Sequence, residues 1–238
     1  SEPGEIAKLV SIVEPDVAVV LNVGVAHAEG VGGGREAIAR EKGSIIEGLS
    51  PEGIAVLNLD DDFVMAQAPR TRGRVVTFGR TLGADYHLPI RESRELAGSR
   101  LTVKRKPDPA FKDVAFAVEL PLLGAAAAID FVAALAAAEG AIGRPLPGFL
   151  VNTTLKGLRP VAGRAALRTL ADDIVLVDDT YNANPASVLA AVETLYEIGH
   201  GRRKIVVFGE MKELGDLARE EHERVGEASG MRSVSLAI

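Results

Sequence analysis

Cysteine is missing from this 238-residue chain. That excludes disulfides and thiolate metal sites and favours a reducing, cytosolic setting. Aromatic residues make up only 4%, so the core has to be built from Ala, Val, Leu and Ile, as in buried parallel sheets. Positive charge is also in short supply. Twenty-seven Lys and Arg face thirty-three Asp and Glu, for a net charge of -6. General affinity for nucleic acid needs a basic surface and is not expected, although one local positive site can still hold a nucleotide. No apolar run is expected to reach the length of a membrane span. The acidic start, Ser1-Glu2-Pro3-Gly4-Glu5, lacks the apolar stretch of a signal peptide. A phosphate-cradling Gly-Lys-Ser/Thr loop is absent too. The glycines Gly30, Gly32, Gly33 and Gly34 lack the lysine that would reach the phosphates. The chain opens without Met and stops at Val234 to Ile238, which reads as a strand just begun, so a piece of a longer protein is expected.

What is present points to an α/β fold. The length allows one large or two ordinary α/β domains, and 47% hydrophobic residues can bury a core. Glu5 to Val13 has helical character. Asp16 to Val23 is a β-branched strand, and a loop from Gly24 to Gly34 carries His27 and Glu29. Arg35 to Leu49 repeats apolar residues at helical spacing, and Ile54 to Leu57 is a second buried strand, which implies a right-handed parallel crossover. Arg74 to Phe78 is a further strand. From Asp85 to Leu120 apolar and polar residues alternate, as in antiparallel strands. Ala125 to Ala141 is an Ala-rich helix with an Ile129, Val132, Leu135 stripe. Gly157 to Arg164 is the expected hinge, dividing a part spanning residues 1–158 from one spanning 159–238. Beyond it comes strand Ile174 to Val177, helix Ala186 to Ile198, strand Lys204 to Phe208 and helix Ala218 to Ser229.

Several residues could carry chemistry. The turn Asp178-Asp179-Thr180-Tyr181-Asn182-Ala183-Asn184-Pro185 joins a buried strand to a helix, where α/β folds bind ligands. An ordinary capped turn explains the same residue types equally well. His27, just past a strand end, suits a divalent metal or a phosphate oxygen, and on its own a loop histidine held by a carbonyl is the simpler account. Lys42 could neutralise phosphate or, once carbamylated, act as a carboxylate-like metal ligand. Pairing with Glu41 or Glu47 on the surface is the plainer alternative. Arg164, after flexible Pro160-Val161-Ala162-Gly163, could reach a phosphate across a cleft. Glu210 sits at a strand end that an ordinary turn also accounts for. His87 and His200 receive no role, and His222 fits a solvated helix face.

Taken together, these stretches resemble the Mur ligase family. Asn22 to Gly30, Ala39 to Ile45 and Val56 to Asp61 are similar to its central ATP-binding domain. Pro160 to Arg164, Asp178 to Pro185 and Gly209 to Gly215 are similar to its C-terminal domain. The resemblance implies a mostly parallel central ATPase-type sheet with a small antiparallel part, followed by a Rossmann-like C-terminal domain, both incomplete. It further implies a monomeric, cytoplasmic ligase with ATP and Mg2+ as cofactors, active in peptidoglycan synthesis. The Tyr-Asn-Ala-Asn-Pro turn favours the type that joins D-alanyl-D-alanine to UDP-N-acetylmuramoyl-tripeptide through an acyl phosphate. By resemblance, His27 would be a magnesium ligand, Lys42 the carbamylated lysine, and Arg164, Asp179, Tyr181, Asn182 and Asn184 the ATP contacts. Another Mur ligase, a folylpolyglutamate synthase relative, or a non-catalytic nucleotide-binding module stay open as alternatives. The family's UDP-binding domain, its phosphate loop and a metal-binding glutamate would precede Ser1. The stretch alone is therefore expected to lack ligase activity. Where the family carries His-Asn shortly after the glycine matching Gly124, this sequence has only alanines and Asp130.

Overall fold

The computed structural model describes residues 3–24, 34–107, 114–232 and 234–237. Helix α1 (Glu5–Val13) leads into strand β1 (Val17–Val20), helix α2 (Gly34–Glu47) and strand β2 (Ile54–Asn58). A single-turn helix α3 (Asp62–Met65) precedes β3 (Arg74–Gly79), β4 (Tyr86–Ser93), β5 (Ser99–Arg105) and β6 (Ala115–Leu120). These six strands form one sheet in sequence order. The pairs from β1 through β4 run parallel, and β4–β5 and β5–β6 run antiparallel. The switch from a parallel to an alternating pattern near residue 85 falls where the sequence places it.

β2 shows why the parallel part of the sheet is stable. All five of its residues are buried. Ile54 and Val56 join Phe78, Leu101 and Val132 on one face, while Ala55 and Leu57 join Val20, Ile38 and Ile46 on the other. This is the period-two alternation of a strand covered on both sides. Each such large side chain contributes roughly 1.5–3 kcal/mol of burial.

One face is covered by α2 and the other by the 19-residue helix α4 (Gly124–Ile142). By length and composition α4 could cross a membrane, contrary to the expectation from sequence. In the fold it is a core helix. Ala128, Val132, Ala133, Leu135 and Ala136 press on the sheet, and Glu139 on the same helix is 3% exposed and paired with Arg105 of β5. Its alanines let it approach closely, which is what an aromatic-poor core requires.

The sequence does not foresee α3, helix α5 (Gly148–Leu155) or the short strand that follows the connector, Ala166–Thr169. After α5, residues 156–165 have no regular structure. Then follow β7 (Ala166–Thr169), β8 (Val175–Asp178), α6 (Pro185–Ile198), β9 (Ile205–Val206), α7 (Ala218–Met231) and β10 (Leu236–Ala237). From β8 onward the alternation of strand and helix is as read. The pairing is not a single run: β7 and β8 form an antiparallel pair, and β9 and β10 a separate parallel one. β9 is also shorter than its apolar run: its described pairing with β10 ends at Val206, and Val207 lies 74% exposed.

Candidate functional site

Two groups of residues stand at strand ends, one in each part of the chain. The first surrounds residues 21–24, which continue β1 without regular structure. Four side chains hold this segment. Asn58 donates its amide to the Leu21 carbonyl at 2.8 Å, and the Val23 amide donates to Asp61 at 2.8 Å. Arg35 donates two hydrogen bonds to the Val23 carbonyl, at 3.1 and 2.8 Å, and lies 4.2 Å over the Phe63 ring. Lys42 Nζ donates to the Asn22 carbonyl at 2.9 Å. Asp61 also caps α3 through the amides of Phe63 and Val64. The same residue therefore ends one element and fixes another.

Lys42 is not the surface-paired lysine of the plainer reading. Glu41 accepts the amides of Gly4 and Ile6, and Glu47 pairs with Arg70 at 2.6 Å. Half-buried, Lys42 is left against a carbonyl. Burial pulls its ammonium below the ordinary lysine value, against the opposing charge of Asp61. His27 lies outside the described residues. Among the described residues no three His, Asp or Glu side chains converge in a way that could hold a metal. Asn58, Asp61 and Arg35 were not singled out as site-shaping residues from sequence. The signal for Asp61 was its position just after a buried strand.

The second group is the Asp178 to Pro185 turn with the residues around Arg164. The Asp179 carboxylate accepts the Ala165 amide at 3.1 Å, and the Tyr181 amide donates to the Gly163 carbonyl at 3.1 Å. The Arg164 guanidinium lies 3.9 Å over the Tyr181 ring, a cation–π stack in which both partners are exposed. Gly163 permits this approach: its φ is +73°, and a Cβ there would stand 3.2 Å from the Tyr181 nitrogen. Asp178 binds the Thr180 hydroxyl at 2.7 Å and Arg168 at 3.1 Å, which holds its carboxyl below the usual range.

The two asparagines have local work to do. Asn184 caps α6, accepting the Ser187 amide at 3.0 Å while its own amide donates to the Ser187 hydroxyl. The Asn182 side-chain oxygen accepts the Ala183 amide at 2.9 Å. The turn is a capped turn, and the Gly163 to Ala165 segment is held against its Asp179 and Tyr181. No hydrogen bond or ring contact links Lys42 to this group among the described residues.

Met211 and Leu214 of the Gly209 to Gly215 stretch are buried with Val188 and Val225, and Ala183 of the turn packs against them. His222 is exposed on α7, as its charged neighbours suggest, and it also makes two contacts that the sequence does not foresee. Its Nε2 accepts the Met211 amide at 3.3 Å, and its Nδ1 lies 2.6 Å from the Ala218 carbonyl, so Nδ1 carries the proton. It is a strut that holds the Glu210 loop.

Beside Arg164 lies an apolar cavity of about 900 Å³ between α4, α5 and the connecting segment, with Leu120, Phe131, Leu155 and Leu158 among its walls. Asp130 opens onto it. This carboxyl stays in contact with solvent, but the apolar walls strip part of its hydration and push it above the usual range.

The family model for the Mur ligase middle domain matches residues 1–138. The chain belongs to the Mur ligase family. A second model, Mur ligase, glutamate ligase domain, matches residues 163–237. The UDP-N-acetylmuramoyl-tripeptide--D-alanyl-D-alanine ligase of Mycobacterium leprae is 35% identical over 99% of this chain and 48% of its own length. That of Escherichia coli is 33% identical over 95% of this chain and 48% of its own length. This Mur ligase chain therefore spans about half the length of the curated relatives it matches. MurF from Acinetobacter baumannii superposes with a TM-score of 0.81 at 26% identity, covering 100% of this chain and 53% of that one. MurF ligase from Thermotoga maritima, in complex with ADP, gives 0.80 at 30% identity, covering 100% and 56%. A folylpolyglutamate synthase of Mycobacterium tuberculosis shares the Mur ligase fold at 20% identity, with a TM-score of 0.68 over 93% of this chain and 53% of that one.

Proposed function

We propose that this chain is the central and C-terminal part of a cytoplasmic Mur ligase that uses ATP to join D-alanyl-D-alanine to UDP-N-acetylmuramoyl-tripeptide in peptidoglycan synthesis. The observation that carries the reading is similarity to ligases of that name along nearly the whole chain. The geometry is compatible with it. In this reading the residues around Arg164 and Tyr181 form the nucleotide edge, and the boundary between the two parts falls in the connector 157–164.

In this reading, Arg164, steadied by Tyr181, offers guanidinium donors to nucleotide phosphate. Asp179 fixes the backbone that carries Arg164. Asn184 and Ser187 cap α6, whose amino end lends partial positive charge at the same edge. The base enters the adjoining apolar cavity. Asn182 keeps its amide nitrogen for ligand, since only its oxygen is used among the described residues.

Magnesium would offset the anionic charge of triphosphate. The described residues do not make a complete magnesium site. What they offer is Lys42, whose lowered pKa suits carbamate formation, because only a neutral amine adds CO2. His27 and a Lys42 carbamate would be this chain's ligands, with the rest supplied by the longer protein. The test is phosphate release by the full-length protein. Release should require ATP, magnesium, the UDP-tripeptide and D-alanyl-D-alanine together. Failure with all four present, or release independent of the dipeptide, would contradict the proposal.

A further inference from the structure

Helix α6 has two ends with different attachments. Its amino end follows directly on the Asp179 to Asn184 edge. Its carboxyl end is tied to the six-stranded sheet. Arg91 on β4 donates two parallel hydrogen bonds to the Glu197 carboxylate, Nη1 at 2.9 Å and Nη2 at 2.7 Å. The guanidinium is aimed from behind: its Nε donates to the hydroxyl of Ser99, a residue 1% exposed, at 3.0 Å. One turn earlier, buried Thr194 packs against Gly124, the first residue of α4, so closely that any Cβ at Gly124 would collide with the threonine hydroxyl. Gly124 also has a φ of +83°, which disfavours any other residue there.

We infer that the Arg91–Glu197 pair is a positioning contact for the nucleotide edge: it docks α6 on the sheet, and so sets where Arg164, Asp179 and Tyr181 stand. The inference rests on the reading of that edge as the nucleotide site. Exposure separates this pair from the ordinary surface pairs of the chain. The Arg91 and Glu197 side chains are 13% and 29% exposed, against 90% and 60% for Arg219 and Glu223. A bidentate pair withdrawn from water and held in register by a third side chain is the kind that fixes orientation. If docking makes the edge competent, losing the pair lowers the docked fraction. Apparent nucleotide affinity then falls by that fraction, while saturating nucleotide restores docking.

The experiment uses the full-length protein with Arg91→Met, Glu197→Met and the double variant. Each single variant should raise the KM for ATP roughly tenfold while kcat at saturation stays within about twofold. The double variant should be no worse than either single, because both remove one contact. An unchanged or lowered KM, or effects that multiply in the double variant, would overturn the inference. A role in stability alone would lower the melting temperature and leave this KM pattern absent. Hydrogen exchange gives a readout that does not depend on activity. Glu197→Met should speed amide exchange over Thr194 to Ile198, and unchanged exchange there also overturns the docking role. Wild-type protein without ATP-dependent phosphate release would defeat the proposed function instead, with the exchange result still deciding whether the Arg91–Glu197 pair docks α6.

Discussion

Lys42 and Asn184 carry opposite lessons at the scale of single residues. Lys42 looks like a surface lysine in sequence, with glutamates on either side of it. Those glutamates are engaged elsewhere, so the ammonium is left half-buried against a carbonyl, where it loses its proton more readily. Lys42→Arg keeps a cation but cannot carry a carbamate. Phosphate release by the full-length protein should fall about 100-fold, as for loss of a metal-site group. A carbamate resonance from 13C-labelled bicarbonate should appear in the wild type and vanish in the variant. Activity within twofold of wild type would contradict the role given to Lys42. Asn184 shows the reverse. Its place in a motif suggests ligand contact, whereas its oxygen already serves the Ser187 amide. Asn184→Ala should cost about 1 kcal/mol of stability through the lost cap, and Asn184→Asp much less, read as melting shifts. His222 could not have been placed from sequence: its two bonds depend on where the Met211 loop lies. Its helical neighbours, mostly charged, suggested only solvent.

Elements were legible where the pattern was strong. The β-branched runs of β1 and β2, the alternation across β5 and β6, and the apolar stripes of α2 and α4 all gave correct types. Helix α5 was not legible, because its own propensity is weak. Thr153 and Thr154 bond back to the carbonyls of Phe149 and Leu150, and Asn152 reaches across to the Glu119 amide and the Ala117 carbonyl. Packing on β6 makes it a helix. The link between β3 and β4 depends on carboxylates in a similar way. Burial works against the charge of Asp85, but Lys106 and two bonds from Thr77 outweigh it and hold the carboxyl below its ordinary value. A depressed folded-state value means the contribution is full above the unfolded pKa, near 4, and is lost as pH falls through the lower folded value. Asp85→Asn should therefore flatten the acid limb of the stability curve below about pH 4. Unchanged acid sensitivity would remove Asp85 from that account. Arg105 and Glu139 join β5 to α4 in the core, with side chains 5% and 2% exposed. Arg105→Met strands the carboxylate and should cost about 3–5 kcal/mol in denaturant unfolding. A loss under 1 kcal/mol would show that water reaches the pair.

The whole molecule is two unequal parts joined by a connector without regular structure. Their order could be read from composition and rhythm. How they touch could not be, since Arg91 and Glu197 are 106 residues apart in the chain. The same holds for the cavity beside Arg164, which draws its walls from α4, α5 and the connector at once. The sheet part presents Lys42, the other part presents Arg164, and the proposed chemistry needs both on one ligand. The most direct measurement is the mass of the product that the full-length protein makes from UDP-N-acetylmuramoyl-tripeptide, ATP and a panel of amine acceptors. D-alanyl-D-alanine should be the acceptor incorporated, with one phosphate released per product. Incorporation of glutamate or another single amino acid in preference to the dipeptide would contradict the account.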